Sequence, residues 1–444
     1  MTSSSEVRLA TAKGEVWSIQ PHLENYLPFP KNQMNFVVVY DPNEPILKKI
    51  GEGFTELYPG YSFGLPEIDP SYERTIPARL GGGRYAVIDK KHFEKKVAFG
   101  DMEIDGIKVK GCHVLGLPPY PIPYAPEPFR NIRFAPEIFP KYDKNGIKSI
   151  GFKDQAFGIL ANNARIELLM NFAAILFKLP INEFGLGGSS YSGVFYPGNF
   201  DFSPEKKLRQ MGTAMFALIG DDRSVSSLAL NIEGDLRKRS KKLKISLKEA
   251  QTVLTNFQGL ANEMDSDFET LFGETIYHDA GKILNVMHST GMIHGPRQSH
   301  FMNYTVPDRR NRSLKVRDFE NAMLVAHMTD IQALRYMDDD LRLLTSSAIR
   351  LYQILLECAA KVDKTGHKPS GVDTESLERM LGNVDPLDCL LRGYTNGEVD
   401  VYDALKRFGK EHVSAKIVQG VRKEQLAGMR ERWHELGKEV ITVI

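Results

Sequence analysis

Residues 288–322 read HSTGMIHGPRQSHFMNYTVPDRRNRSLKVRDFENA, and this stretch says most about the fold. A helix-like run ends in its first residues. Two short strand-like runs follow, NYTV (303–306) and LKVRD (314–318), with the polar turn PDRRNR between them. The pattern predicts a β-hairpin after a helix, with Asn303 at the start of the first strand and Asp318 at the end of the second.

Asn303 and Asp318 are oxygen donors, and kinase-like folds place an Asn and an Asp side by side as ligands for Mg²⁺ or Mn²⁺. The pattern leaves open an ordinary hairpin, in which His294 is hydrogen-bonded in the core and Asp318 caps the next turn. The order of His294 and Gly295, then Asn303, then Asp318 after a strand favours the metal-site interpretation.

The segments on either side predict an α+β protein with a strand-rich N-terminal half and a helical C-terminal half. Strands are expected at 35–41, 84–89 and 104–111, followed by an extended proline-rich connection at 116–129 and a helix from 156 to Pro180. Further strands are expected at 191–200 and 213–220, helices after residue 247, and a linker at 363–376. We therefore expect an N-lobe with a Gly-rich nucleotide loop (1–218), a helical C-lobe with the metal-binding loop (219–362) and a C-terminal helical extension (371–444).

Composition argues against several classes of protein. The net charge of +1 makes nucleic acid an improbable main partner, because nucleic-acid-binding proteins usually carry a positive excess. The cysteines, Cys112, Cys358 and Cys389, are far apart and predict neither a zinc site nor a disulfide framework. The N-terminus lacks the apolar core of a signal peptide, and Asn171 and Lys178 interrupt the longest apolar run. We expect a cytoplasmic protein without a membrane partner.

Four motifs in the N-terminal half precede this hairpin, and their order along the chain is informative. They are YPGYSFG (58–64), LGGGR (80–84), KVKGC (108–112) and NARIELL (163–169). Together with the hairpin, this series resembles the selenoprotein O family of protein-kinase-like enzymes, over roughly residues 30 to 345. The resemblance implies a two-lobed protein-kinase-like fold that binds ATP with Mg²⁺ or Mn²⁺. It also implies transfer of AMP, rather than phosphate, to Ser, Thr or Tyr hydroxyls of other proteins.

The resemblance assigns roles to individual residues. Those matched to nucleotide binding are Gly81, Gly83 and Arg84 in the glycine loop, the strand lysine Lys110, its helix partner Glu167, and Arg223; those matched to metal binding are Asn303 and Asp318. Glycines let backbone N–H groups approach phosphate oxygens closely, and Lys and Arg add charge. Between the strand lysines Lys108 and Lys110, we expect only one to point inward. A surface position for Glu167 is the open alternative.

The chain also departs from the family pattern. Met302 stands where the family has the aspartate that accepts a proton, and a thioether cannot accept one at neutral pH. His300, in a loop longer than the family's, is our candidate for the missing base. Two alternatives stay open: a nucleotide-binding scaffold that has lost catalysis, and a kinase-like enzyme that modifies a small molecule.

Asp338, Asp339 and Asp340 form an acidic run that looks like a metal cluster at first sight. Consecutive residues point about 100° apart on a helix, so the three carboxylates cannot converge on one ion. We expect them to lie on a solvated face or to cap a helix.

Overall fold

The structure is a computed structural model, and it describes about three-fifths of the chain. The described residues are 7–10, 16–19, 79–81, 85–92, 98–99, 102–110, 142–143, 146–147, 159–160, 167, 170–171, 174, 177–195, 208–230, 232, 245–295, 298–307, 309–310, 312–319 and 321–442. They form a mixture of helix and sheet that is mostly helical. The expected combination of helix and sheet is therefore present, while the expected strand at 35–41 and the proline-rich segment at 116–129 lie outside the described residues.

The chain divides into two compact units. The first comprises residues 1–172, 183–219 and 435–444, and the second comprises 173–182 and 220–434. The division after Ile219 falls one residue beyond the expected end of the N-terminal domain. Residues 371–434, expected to form a separate extension, group with the helices of the second unit.

The described strands of the first unit form one six-stranded antiparallel sheet and three two-stranded hairpins. The strands are β1 Val7–Ala10, β2 Val16–Ile19, β3 Arg79–Gly81, β4 Tyr85–Asp89, β5 Ala98–Phe99, β6 Met102–Glu103, β7 Gly106–Lys110, β8 Tyr142–Asp143, β9 Gly146–Ile147, β10 Ile159–Leu160, β11 Glu183–Phe195 and β12 Leu208–Leu218. In the main sheet the order is β10-β12-β7-β4-β3, with β11 paired to β12, and the remaining short strands pair as hairpins.

Strand β12 organises this sheet. One edge of β12 pairs with β11. The other edge pairs with β7 through residues 214–218 of β12 and with β10 through residues 211–212. Its residues Phe216 and Leu218 are buried together with Ile107 of β7. The expectation of one helix over 156–180 was wrong at its start, because Ile159 and Leu160 pair with β12. Sheet hydrogen bonds outweigh the helical spacing there.

The second unit is mainly helical. After residue 220 the chain forms α1 Val225–Leu228, α2 Leu247–Met264, α3 Phe268–Thr270, a π-helix Leu271–His278, α4 Asp279–Ser289, β13 Met292–Ile293, β14 Tyr304–Thr305, β15 Lys315–Val316, β16 Met323–Leu324, α5 Asp330–Thr365, α6 Thr374–Asn383, α7 Pro386–Thr395, α8 Val401–Arg422 and α9 Leu426–Thr442. α8 bends at Gly409, whose φ is 71°. α5 ends at Thr365 and α6 begins at Thr374, so the connection between them, residues 366–373, lies inside the expected linker 363–376.

Capping residues set the starts of these helices. Ser246 and Thr329 form capping boxes with Glu249 and Gln332, so that α2 and α5 begin where two backbone donors are satisfied reciprocally. α5 ends at Gly366, whose φ of 65° is a conformation that glycine adopts without a steric penalty.

Helices α4 and α7 cross at backbone contact distance. A Cβ built on Gly281 of α4 would lie 2.0 Å from the main-chain oxygen of Leu390, and one built on Gly393 of α7 would lie 2.0 Å from that of His278. Only glycine permits this approach, so the two glycines bring the C-terminal helix α7 directly against α4.

No helix within the described ranges is both long enough and apolar enough to cross a bilayer.

Candidate functional site

In the first unit, Gly81 and the strand lysine Lys110 belong to one row of the sheet. Gly81 at the end of β3 pairs with Tyr85 at the start of β4, and Tyr85 pairs with Lys110 at the end of β7. Neighbouring strands lie about 4.8 Å apart, so the Lys110 backbone is about 10 Å from that of Gly81. Gly83 and Arg84 lie outside the described residues, and their predicted roles stay predictions.

Lys110 forms a buried ion pair with Glu167. Its ammonium contacts Glu167 Oε1, lies 3.7 Å from Glu183 Oε2, and is 5.4 Å from the centre of the Phe216 ring. Glu167 is fully buried, in a residue stretch with helical backbone, which excludes the alternative of a surface glutamate. A lysine on a strand and a glutamate on a helix, expected as partners from the family resemblance, are thus in direct contact.

The second strand lysine is buried as well. Lys108 pairs with Glu183 at the start of β11, and both side chains are almost entirely inaccessible. The expectation that only one of Lys108 and Lys110 points inward was wrong. Side chains alternate along a strand, so residues two apart share a face, and both lysines extend from β7 towards the same pair of glutamates.

In the second unit, the predicted hairpin brings Asn303 and Asp318 to one end of two short strands. Tyr304 pairs with Val316, and the main-chain N–H of Arg317 donates to the oxygen of Asn303 at 3.0 Å. Asp318 is the next residue after Arg317. Its φ of 70° is unusual for a residue with a side chain, and such backbone strain is found preferentially at functional sites.

Gln298 fixes the orientation of the Asn303 amide. The amide nitrogen of Asn303 donates to the main-chain oxygen of Gln298 at 3.0 Å and to its Oε1 at 2.5 Å. Because both contacts use the nitrogen, the amide oxygen is the atom that Asn303 can offer to a cation.

His294 supports this hairpin from within the core. Its Nε2 donates to the main-chain oxygen of Arg317 at 2.9 Å, and Ser299 Oγ lies 3.3 Å from its Nδ1. Burial lowers the pKa of His294, although the nearby Asp340 carboxylate acts in the opposite direction. A neutral ring with its proton on Nε2 satisfies both contacts.

Asp340 holds the loop that carries His294. Its Oδ2 accepts the main-chain N–H groups of His294 at 2.8 Å and Gly295 at 3.4 Å, and burial raises its pKa to about 7. Our expectation of a solvated or capping acidic run was wrong for Asp340, which is buried. The helical spacing contained the signal, because Asp340 lies three residues after Met337 and four before Leu344, both on the buried face of α5.

His300 and Met302 lie in the turn before the hairpin. The main-chain oxygen of His300 accepts the N–H of Asn303 at 2.8 Å, so the two residues are held within one tight turn. The Met302 side chain is 37% exposed, while its main-chain oxygen accepts the Arg317 guanidinium at 3.0 Å.

Arg223 lies beside the same hairpin, and its side chain contacts carboxylates. Its main-chain oxygen accepts the N–H of Val306, whereas its guanidinium pairs with Asp221 at 2.7 Å and Glu263 at 3.0 Å. Its predicted contact with a nucleotide stays a prediction.

No protein-family model matches the chain, and neither does any sequence among the curated proteins. In the described part of the chain, no group of three or more His, Cys, Asp or Glu side chains is arranged to hold a metal ion. Asn303 and Asp318 do not form such a group, because they are only two residues and one of them offers an amide oxygen.

Proposed function

We propose that this protein is an ATP- and metal-dependent nucleotidyltransferase with a kinase-like fold, which transfers AMP to hydroxyl side chains of a protein acceptor in the manner of selenoprotein O. The main support is the buried ion pair of Lys110 and Glu167. Protein kinases rely on such a pair, a strand lysine held by a helix glutamate, to bind nucleotide phosphates. The Asn303 and Asp318 hairpin is a second, separate support.

The residues present suit a divalent metal. Mg²⁺ binds through one or two protein oxygens, and waters and phosphate oxygens complete its coordination. Asn303 and Asp318 offer such oxygens from adjacent backbone positions, and Gln298 leaves the amide oxygen of Asn303 as the only possible ligand atom. When bound, the metal would neutralise charge on the phosphates.

The protein groups have separate tasks in this proposal. Lys110 supplies positive charge to the phosphates, and Glu167 and Glu183 hold its ammonium in place. Gly81 gives the phosphates access to the backbone at the end of β3. His300 accepts the proton of the attacking hydroxyl, since Met302 has no group that can do so.

Incubation with ATP labelled at the α or the γ phosphate, with Mg²⁺ or Mn²⁺, tests the proposal. Transfer of the α label to protein supports it. Transfer of the γ label instead identifies a kinase, with a small molecule as one possible acceptor. Binding of ATP without transfer of either label identifies a scaffold that has lost catalysis.

Binding itself is tested by thermal unfolding and calorimetry with ATP and Mn²⁺. A ligand that prefers the native state raises the melting temperature by mass action. We expect Asp318→Asn to abolish the metal-dependent part of the shift, and Asp363→Asn, at the exposed end of α5, to leave it unchanged. If the wild type shows no shift and no heat of binding, the kinase-like proposal is wrong.

A further inference from the structure

Arg422, near the end of α8, is a buried cation in the C-terminal helices. It is only 2% exposed, and its guanidinium donates to the main-chain oxygen and to Oδ1 of Asn285 on α4. A third contact, to Gln425 Oε1, is 2.8 Å long. The guanidinium also lies 5.5 Å from the centre of the Tyr394 ring, within the range of a cation–π interaction.

Tyr394 links Arg422 to His288 of α4. Its hydroxyl lies 2.8 Å from Nδ1 of His288, and both side chains are fully buried. The other ring nitrogen of His288, Nε2, lies 3.4 Å from Asp340 Oδ2. A carboxylate oxygen accepts, so Nε2 carries the proton, Nδ1 accepts, and the Tyr394 hydroxyl is the donor.

The neutral state of His288 suits this arrangement. Burial lowers its pKa well below the ordinary value, and the positive charge of Arg422 lowers it further. With a single proton, the tautomer of His288 is decided by the Tyr394 hydroxyl on one side and Asp340 on the other.

Asp340 then connects the network to the loop before the hairpin. The oxygen that faces His288 is the same Oδ2 that accepts the N–H groups of His294 and Gly295. Gly295 has a φ of 103°, and a Cβ there would lie 1.9 Å from the Asn321 oxygen. The backbone at His294 and Gly295 is therefore closely confined, and a small shift of Asp340 is transmitted to it.

We infer that Tyr394 and Arg422 are positioning residues, which fix His288 and Asp340 and thereby hold the loop that supports Asn303 and Asp318. The C-terminal helices thus take part in ordering the metal-binding hairpin. The role of the hairpin in metal binding rests on the proposed function, whereas the hold on the loop does not.

The test compares Tyr394→Phe with wild type. This change keeps the ring and removes only the hydroxyl donor to His288. Tyr402→Phe is the matched control, because Tyr402 lies in the same C-terminal region and is 78% exposed. Gln425→Ala, which removes one contact of Arg422, is a milder second variant should Tyr394→Phe fold poorly.

Two readouts decide the outcome. Residue-resolved hydrogen exchange, without ligand, should show faster exchange of the His294 and Gly295 amides in Tyr394→Phe and no change in Tyr402→Phe. Titration of the ATP-bound protein with Mn²⁺ should show a metal affinity weakened by about two- to thirtyfold, the range found for residues coupled to a site through a chain of contacts.

Unchanged exchange at both amides would overturn the inference. Faster exchange with unaltered Mn²⁺ affinity would overturn the link to the metal site. If wild type binds no Mn²⁺ with ATP but exchange is faster in the variant, the hold on the loop stands and the proposed function fails.

Discussion

The imidazole of His294 donates a hydrogen bond to the main-chain oxygen of Arg317 at 2.9 Å, one residue before Asp318. A fully buried ring thus fixes the carbonyl that precedes an aspartate with a φ of 70°. This relationship keeps Asp318 in a backbone conformation that residues with side chains rarely adopt, next to Asn303.

Two substitutions at Asp318 separate backbone strain from function. Asp318→Gly and Asp318→Ala both remove the carboxylate, so both should lose metal-dependent ATP binding. The glycine variant should be the more stable by about 1 kcal/mol, because alanine pays a steric cost at positive φ. Urea unfolding measures the difference. An alanine variant more stable than the glycine variant would contradict the strained backbone.

Replacement of Lys110 by methionine should strongly destabilise the first unit. The change leaves Glu167 buried without its ammonium partner, and breaking a buried pair costs about 3–5 kcal/mol. Lys110→Met combined with Glu167→Gln should recover much of this loss. Lys90→Met is the control, because Lys90 is half-exposed and its pairs with Asp105 and Glu103 lie near the surface. Unfolding that is no easier in Lys110→Met than in Lys90→Met would count against the pair.

The proton acceptor is tested at the turn before the hairpin. A positioned base contributes ~10²–10⁴-fold to a rate, so His300→Ala should reduce AMP transfer at least tenfold. His367→Ala, an exposed histidine after α5, should have no effect. If His300→Ala retains full activity while Met302→Asp gains tenfold or more, the wild type lacks a base and His300 has no such role.

The low pKa of His288 predicts a dependence of stability on pH. As pH falls below about 6.5, the unfolded chain gains a proton that folded His288 does not, which lowers the free energy of unfolding by at most about 1.4 kcal/mol per pH unit. The loss of stability caused by His288→Asn should therefore be smaller at pH 5.5 than at pH 7.5. Asp340, whose pKa is raised to about 7, has the opposite slope, and as it is present in both proteins its contribution largely cancels. A loss that grows towards acid pH would refute the buried neutral ring.

The close crossing of α4 and α7 is tested with two glycines. Gly281→Ala places a Cβ against the Leu390 backbone and should cost about 1–3 kcal/mol or more. Gly259→Ala in α2 meets no atom within 4 Å and should stabilise by about 0.5–1 kcal/mol through helix propensity. Equal effects of the two changes on chemical unfolding would argue against the crossing.

Local signals in the sequence were sufficient for the hairpin and for most helices of the second unit. The polar turn between two short apolar runs indicated the strands with Asn303 and Asp318, and the helical spacing after residue 247 indicated the helices that include α2 and α5. The contact of Lys110 with Glu167 came from the family resemblance, because no local pattern relates residues 57 positions apart.

Other parts of the site depend on contacts over long sequence distances. Glu183 gives no local sign that it will meet two lysines of β7, since β12 must first lie between β7 and β11. Asp340 was missed for a different reason. The helical spacing places Asp340 on the apolar face of α5, but the charge that it shares with Asp338 and Asp339 predicted a solvated face instead.

The π-helix before α4 determines which way His288 points. Each of its turns contains more residues than an α-helical turn, so it changes the phase of everything that follows in the same continuous helix. Along α4 one residue corresponds to about 100° of rotation. A one-residue deletion within 279–287 of α4 would thus turn the His288 ring away from Tyr394 and Asp340 while leaving the composition of the helix almost intact. Length, as much as residue identity, is therefore under constraint in this segment.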